Sequence, residues 1–401
     1  MSKVLFMNMP AHGHINPTLG LVEELIGRGE EVTYLTGEEF REKIEKTGAK
    51  FKSFRFYLDD KDEDTDTSAS EVPYEVKEAV KMLERVVKTC QSVFEVVFSG
   101  EEKYDYVIYD SMFIIGAEIG KALNVPTICS HTTLVNAFEA PSNPEGLECF
   151  MGEFEHVLNS IKEMEETYGI RFPDVISGYP VAEGMLNLVY TSRYFHPVVK
   201  GIDDSYKFIG ISVADRKEKM AFPFEKIADK KVIYISLGTI FNDSIEFYES
   251  CFEAFKDMDV KVVMSIGNRI DIGAFKSIPD NFIVLPYVPQ LEVLKQTDIF
   301  ITHGGPNSVN EALYNNVPMI LVPQYADQFA VAYRVEELGA GINIEKDKVN
   351  ANLLKEAVTR VLSDKSFKVN SEKIGDSLKD AGGVSIGADE ILEFVSSCCE
   401  E

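Results

Sequence analysis

Tryptophan is absent from this 401-residue chain, so any aromatic stacking surface must come from tyrosine or phenylalanine. Cations are scarce as well: 40 Lys and Arg stand against 66 Asp and Glu, a formal charge of −26. A phosphate-backbone binder needs clustered Lys and Arg, so the balance argues against nucleic acid as a partner. Long apolar runs are missing too. The best, such as VPMILVP at 317–323, are strand-length and fall far short of the ~18–20 residues that span a bilayer. The opening MSKVLFMNMP is too short an apolar run for a secretory signal. Six cysteines (Cys90, Cys129, Cys149, Cys251, Cys398, Cys399) form neither a CxxC motif nor a disulfide framework. These absences predict a cytoplasmic protein without membrane or nucleic-acid partners, a monomer or weak homo-oligomer.

What is present is ordinary globular material, 45% apolar and 26% charged, long enough for two or three domains. The apolar pattern predicts strands at VLFMNM (4–9), EVTYLT (31–36), YDYVIYD (104–110) and PTICS (126–130). Helical spacing of Leu19, Val22, Leu25 and Ile26 follows the first strand, and MFIIGAEIGKALNV (112–125) reads as a second helix. After a charged stretch the alternation resumes with KVIYISLGT (231–239), VKVVMSIG, FIVLPYV, DIFITHGG and PMILVPQ as strands. IEFYESCFEAFKD and SVNEALYNN read as helices among them. Strand–helix alternation predicts parallel sheets covered on both faces, an α/β class. The expected boundaries are a first domain over 1–212, a linker over 213–230, a second domain over 231–385 and a C-terminal helix over 386–401.

Chemistry concentrates in DIFITHGGPNSVNEAL (298–313). A strand entering a glycine pair, a polar turn and a helix aims free backbone N–H groups and the positive end of the helix dipole at one spot, a cradle for phosphate. His303, Asn307 and Ser308 add donors; a plain capped turn is the simpler alternative. In the first half, His14 follows the opening strand, and a histidine suits a general base because its ordinary pKa of about 6.5 lies near working pH; Asp110 ends another strand. Asp64 and Asp66 form a DxD in an acidic run, which composition alone explains. His131 is a candidate lining of an acceptor pocket, while His156 and His196 read as structural or exposed.

The wider constellation resembles the nucleotide-sugar signature of the UDP-glycosyltransferases. YVPQ (287–290), HGGPNSVNE (303–311) and PQYADQ (323–328) match in order, with AHGHINP (11–17) and SLGT (236–239) elsewhere. The branch most similar is that of the bacterial macrolide-type glycosyltransferases. The resemblance implies two Rossmann-like domains facing across a cleft, the GT-B arrangement. It implies His14 as general base and Asp110 as its partner. It also implies a donor site in which Tyr287 stacks on the base in place of the usual tryptophan and Val288 meets the base edge. Gln290 belongs to the same site, and Glu311 holds the ribose hydroxyls. Ser236, Thr239, His303, Gly305, Asn307 and Ser308 hold the diphosphate, and Asp327 and Gln328 bind the sugar. Pro306, which lacks an N–H, departs from the pattern and predicts one fewer phosphate contact; Asn315–Asn316 departs from it in a turn.

The function so implied is metal-independent inverting transfer of a sugar, glucose by preference, from a UDP-sugar to a hydroxyl of a small hydrophobic acceptor. No cofactor beyond the UDP-sugar co-substrate is expected. A UDP-sugar epimerase or hydrolase on the same fold, or a non-catalytic nucleotide-sugar module, are the alternatives. The acceptor is left open among macrolide, flavonoid, terpenoid and phenol.

Overall fold

A computed structural model describes residues 1–58, 72–136, 147–175, 182–212, 220–238 and 242–398. The first half runs β1 (Lys3–Met7), α1 (His12–Gly27), β2 (Glu31–Thr36), α2 (Arg41–Glu45), β3 (Lys50–Ser53) and α3 (Tyr74–Phe98). It continues through β4 (Tyr106–Asp110), α4 (Gly116–Leu123), β5 (Thr127–His131), α5 (Glu155–Tyr168), β6 (Leu186–Val189) and β7 (Tyr206–Phe208). The second half runs β8 (Lys231–Ser236), α6 (Ile245–Phe255), β9 (Val260–Ser265), β10 (Phe282–Leu285), α7 (Gln290–Leu294), β11 (Ile299–Thr302) and α8 (Pro306–Tyr314). It closes with β12 (Met319–Leu321), α9 (Gln328–Glu337), β13 (Gly341–Asn343), α10 (Ala351–Ser363), α11 (Lys365–Asp380) and α12 (Gly383–Cys398).

Two parallel sheets result, ordered β3-β2-β1-β4-β5-β6-β7 and β10-β9-β8-β11-β12-β13. Both are doubly wound, and each reverses strand order beside its first strand, between β1 and β4 or between β8 and β11. A ligand crevice opens at such a reversal, beyond the carboxyl ends of the strands. β1, β4, β8 and β11 are buried on both faces, which explains why their sequences read as near-continuous apolar runs. One apolar layer on each side of each sheet makes the core. Tyr234 and Phe300, neighbours on β8 and β11, stack with centroids 4.7 Å apart.

The structure revises several local expectations. AHGHINP is not a loop: α1 begins at His12 and carries Pro17 inside it. Strands end early where proline intervenes, β10 before Pro286 and β12 before Pro323. The 25-residue α3, amphipathic with Val86, Cys90, Val93 and Phe94 buried, was not read from the sequence at all. At the far end α12 returns to the first domain, where Ala388, Ile391 and Val395 join the core of α1 and the first sheet. Its start meets the exit of that domain, the Gly383 N–H donating to the Ile209 carbonyl at 2.7 Å. Residues 220–230 lean the other way, Ile227 being buried in the second domain's core.

Candidate functional site

The first turn of α1 presents His14 at the reversal point of the first sheet, and β4 ends there in Asp110. The imidazole Nδ1 lies 2.9 Å from Asp110 Oδ2, and the second carboxylate oxygen accepts the Met112 N–H at 2.8 Å. Asp110 is fully buried, whereas the His14 side chain is 26% exposed. The carboxylate therefore holds the Nδ1 proton, and Nε2 keeps its lone pair for the cleft. Burial by itself lowers the His14 pKa, but the charge and hydrogen bond of Asp110, with Asp327 farther off, outweigh it and raise the net value. Thr132, just past β5, adds its hydroxyl 3.2 Å from Nδ1.

Facing this pair is the end of α8. Gly305 is its N-cap and Pro306 its first residue, the position where a missing N–H costs least. The N–H groups of Asn307 and Ser308 follow, among those a helix leaves without intrahelical partners. His303 is clamped between two glycines. A Cβ on Gly238 would lie 2.6 Å from its Cε1, and one on Gly305 2.5 Å from its Nε2. Burial lowers the His303 pKa to about 4, so it meets an anion as a neutral donor. Ser236 ends β8 beside Thr302 of β11, bringing the two loops together. Thr239 lies outside the described residues, as do Asp64 and Asp66.

Farther along, Glu311 is buried to 4% and receives the Gln290 side-chain N–H at 2.7 Å. Tyr234 donates to Gln290 Oε1 at 2.9 Å, so a buried tyrosine orients the amide that orients the carboxylate. Val288 is buried and Tyr287 is 44% exposed, a ring free to receive a planar base. Asp327 precedes α9 and accepts the Thr133 hydroxyl at 2.7 Å across the cleft; burial raises its pKa despite that bond. Gln328 turns its Oε1 back onto the N–H groups of Gln324 and Tyr325, at 2.8 and 3.2 Å.

One expected role changes, and His196 takes the structural one of its two expected readings. His131 does not line a pocket: it is buried in β5, bonded at 3.1 Å to Asn187 Oδ1, and burial lowers its pKa. His196 is also internal, accepting the Val135 N–H at Nε2 and facing the Pro197 carbonyl through Nδ1, with a pKa pushed down to about 4. Met112, two residues past Asp110, lines an apolar recess together with Met9, Leu58, Val86, Cys90 and Phe113. The α3 contribution to this recess was not legible in the sequence. Thr132, Thr133 and Tyr234 were also missed. The threonines follow a predicted strand and could have been suspected from that place, but nothing local marks Tyr234.

Two opposed doubly wound domains, with an acid-supported histidine facing a helix N-terminus, give the architecture of a glycosyltransferase of the GT-B class. Residues 249–381 match the family described as erythromycin biosynthesis protein CIII-like, C-terminal domain. The chain is 37% identical to the uncharacterised UDP-glucosyltransferase YojK of Bacillus subtilis, covering 98% of both chains. It is 34% identical to the NDP-glycosyltransferase YjiC of the same organism, over 98% of this chain and 97% of that one. Its fold is similar to that of the glycosyltransferase of kitacinnamycin, with a TM-score of 0.79, 26% identity and coverage of 97% and 98%. The chain belongs to the bacterial UDP-glycosyltransferase family.

Proposed function

We propose that the protein transfers glucose from UDP-glucose, with inversion, to a hydroxyl of a small hydrophobic acceptor. The carrying observation is the opposition of two built groups: the His14–Asp110 pair on one domain and the α8 terminus with His303 on the other. The UDP-glucosyltransferase name of YojK supports the donor, and the apolar recess lined by Met112 supports the acceptor class.

In this reading Tyr287 stacks on uracil, Val288 meets its edge, and Glu311 takes both ribose hydroxyls with Gln290 holding it in register. Ser236, Thr239, His303, Gly305, Asn307 and Ser308 surround the diphosphate with neutral donors and a helix dipole. Asp327 and Gln328 bind the sugar, whose hydroxyl displaces Thr133 from Asp327. The acceptor lies in the recess with its hydroxyl at His14 Nε2. Its proton passes to Nε2 as the acceptor oxygen bonds to the anomeric carbon from the face opposite UDP. The carbon–oxygen bond to the β-phosphate breaks, and its electron pair leaves with UDP. Asp110 stabilises the imidazolium so formed. The α8 terminus stabilises the charge that grows on the departing diphosphate.

The test is UDP release from UDP-glucose with and without a panel of phenolic and polycyclic alcohols, with mass spectrometry of products. Acceptor-dependent release and a hexose-sized mass gain are expected. His14→Ala should cut that turnover by about 10²–10⁴-fold while leaving UDP affinity nearly intact. Release independent of acceptor would favour hydrolysis, and full activity in His14→Ala would remove the base.

A further inference from the structure

Pro17 sits inside α1 and has no N–H to give to the residue four before it, Gly13. The Gly13 carbonyl, one residue from the base, therefore loses its intrahelical partner. The structure supplies another from the opposite domain: Asn307 Nδ2 donates to Gly13 O at 2.6 Å. The neighbouring His14 carbonyl is held from its own side, by Asn8 Nδ2 at 3.1 Å. Asn8 is in turn fixed by the Tyr34 hydroxyl at 2.7 Å. The turn that carries the base is thus secured half by its own domain and half by the donor-binding domain.

We propose that Asn307 is a positioning residue for His14, acting through the Gly13 carbonyl that Pro17 leaves open. An amide nitrogen carries two hydrogens. One ties the first turn of α1, and the second stays available to a phosphate oxygen above α8. Donor binding and alignment of the base then share one side chain, so the base is fully aligned only when the two domains meet. This rests on the reading of His14 as the general base.

The experiment is steady-state kinetics of the full-length enzyme with UDP-glucose and an active acceptor, for Asn307→Ala alone and combined with Pro17→Ala. Asn307→Ala should lower kcat about tenfold at saturating donor, the scale of loss expected for a slightly misplaced base. It should also raise the donor KM. Adding Pro17→Ala returns an N–H to position 17 and rebuilds the bond to Gly13, so most of kcat should return while KM stays high. Pro17→Ser supplies the same N–H and serves if the alanine variant folds poorly. A rise in KM without loss of kcat would make Asn307 a donor contact only and overturn the proposal. So would a loss of kcat that neither Pro17 variant relieves. Failure of the underlying reading looks different, since His14→Ala would then keep its turnover.

Discussion

In the proposed reaction His14 takes a single proton from the acceptor. The imidazole must be neutral to accept it, and Asp110 raises the pKa above the usual 6.5 against the pull of burial. Rate should therefore fall as pH drops through that raised value and level off above it. Asp110→Asn removes the charge and leaves the burial, so the acid limb should move to lower pH while the plateau falls. Measuring log kcat from about pH 5 to about pH 9 checks both effects; an unmoved limb would detach Asp110 from the titration. His303 cannot imitate this limb, because its pKa of about 4 keeps it neutral throughout.

Two strand-to-helix loops form the proposed anion cradle, and glycine is needed there for space. Gly238 has φ +79°, a region other residues enter at a cost, and a Cβ would strike the His303 ring. Gly238→Ala should cost about 1–3 kcal/mol in strain and displaced ring. It should also weaken UDP about tenfold by calorimetry. Unchanged affinity would mean that the ring can swing away and that His303 is not a phosphate donor. The same loop shows why Pro306 is tolerated. At the first helical position its missing N–H belongs to the group that has no intrahelical partner anyway, so the helix loses one anion donor but no backbone bond.

Across the whole molecule the two domains are tied at several places. Asn310 Nδ2 donates to the Tyr190 carbonyl at 3.1 Å, and the Thr191 hydroxyl donates to Asn310 at 2.9 Å. Arg334 donates to the Phe195 and Tyr194 carbonyls. The C-terminal α12 closes the circuit by packing on α1, the helix that bears the base, with Arg28 paired to Asp389 and bonded to Ser385. Ile391 is fully buried there. Ile391→Ala should lower stability by about 2–5 kcal/mol, seen as a reduced urea midpoint. It should also reduce turnover, because α1 is loosened from behind. A midpoint shift without any kinetic change would separate the packing of α12 from the alignment of His14.

Much of this was legible from local pattern. Buried parallel strands announce themselves as short apolar runs, and the glycine pair before Asn307 and Ser308 marks a helix end, because both depend on neighbours in the chain. So the α/β class and the polar helix end could be read from local pattern, while the coupling of His14 to Asp110 came from the family resemblance. The rest depends on residues distant in sequence. That Thr133 reaches Asp327, that Tyr234 sets Gln290, and that Asn307 closes on Gly13 are contacts between residues 194, 56 and 294 positions apart. A hydrogen bond has no sequence signature unless its partners are neighbours. His131 was misjudged for the same reason: its strand was visible, but only the packed sheet shows that β5 is buried on both sides. Local backbone preference and apolar periodicity chose the elements, while the joining of two domains chose which of their side chains could meet over a substrate.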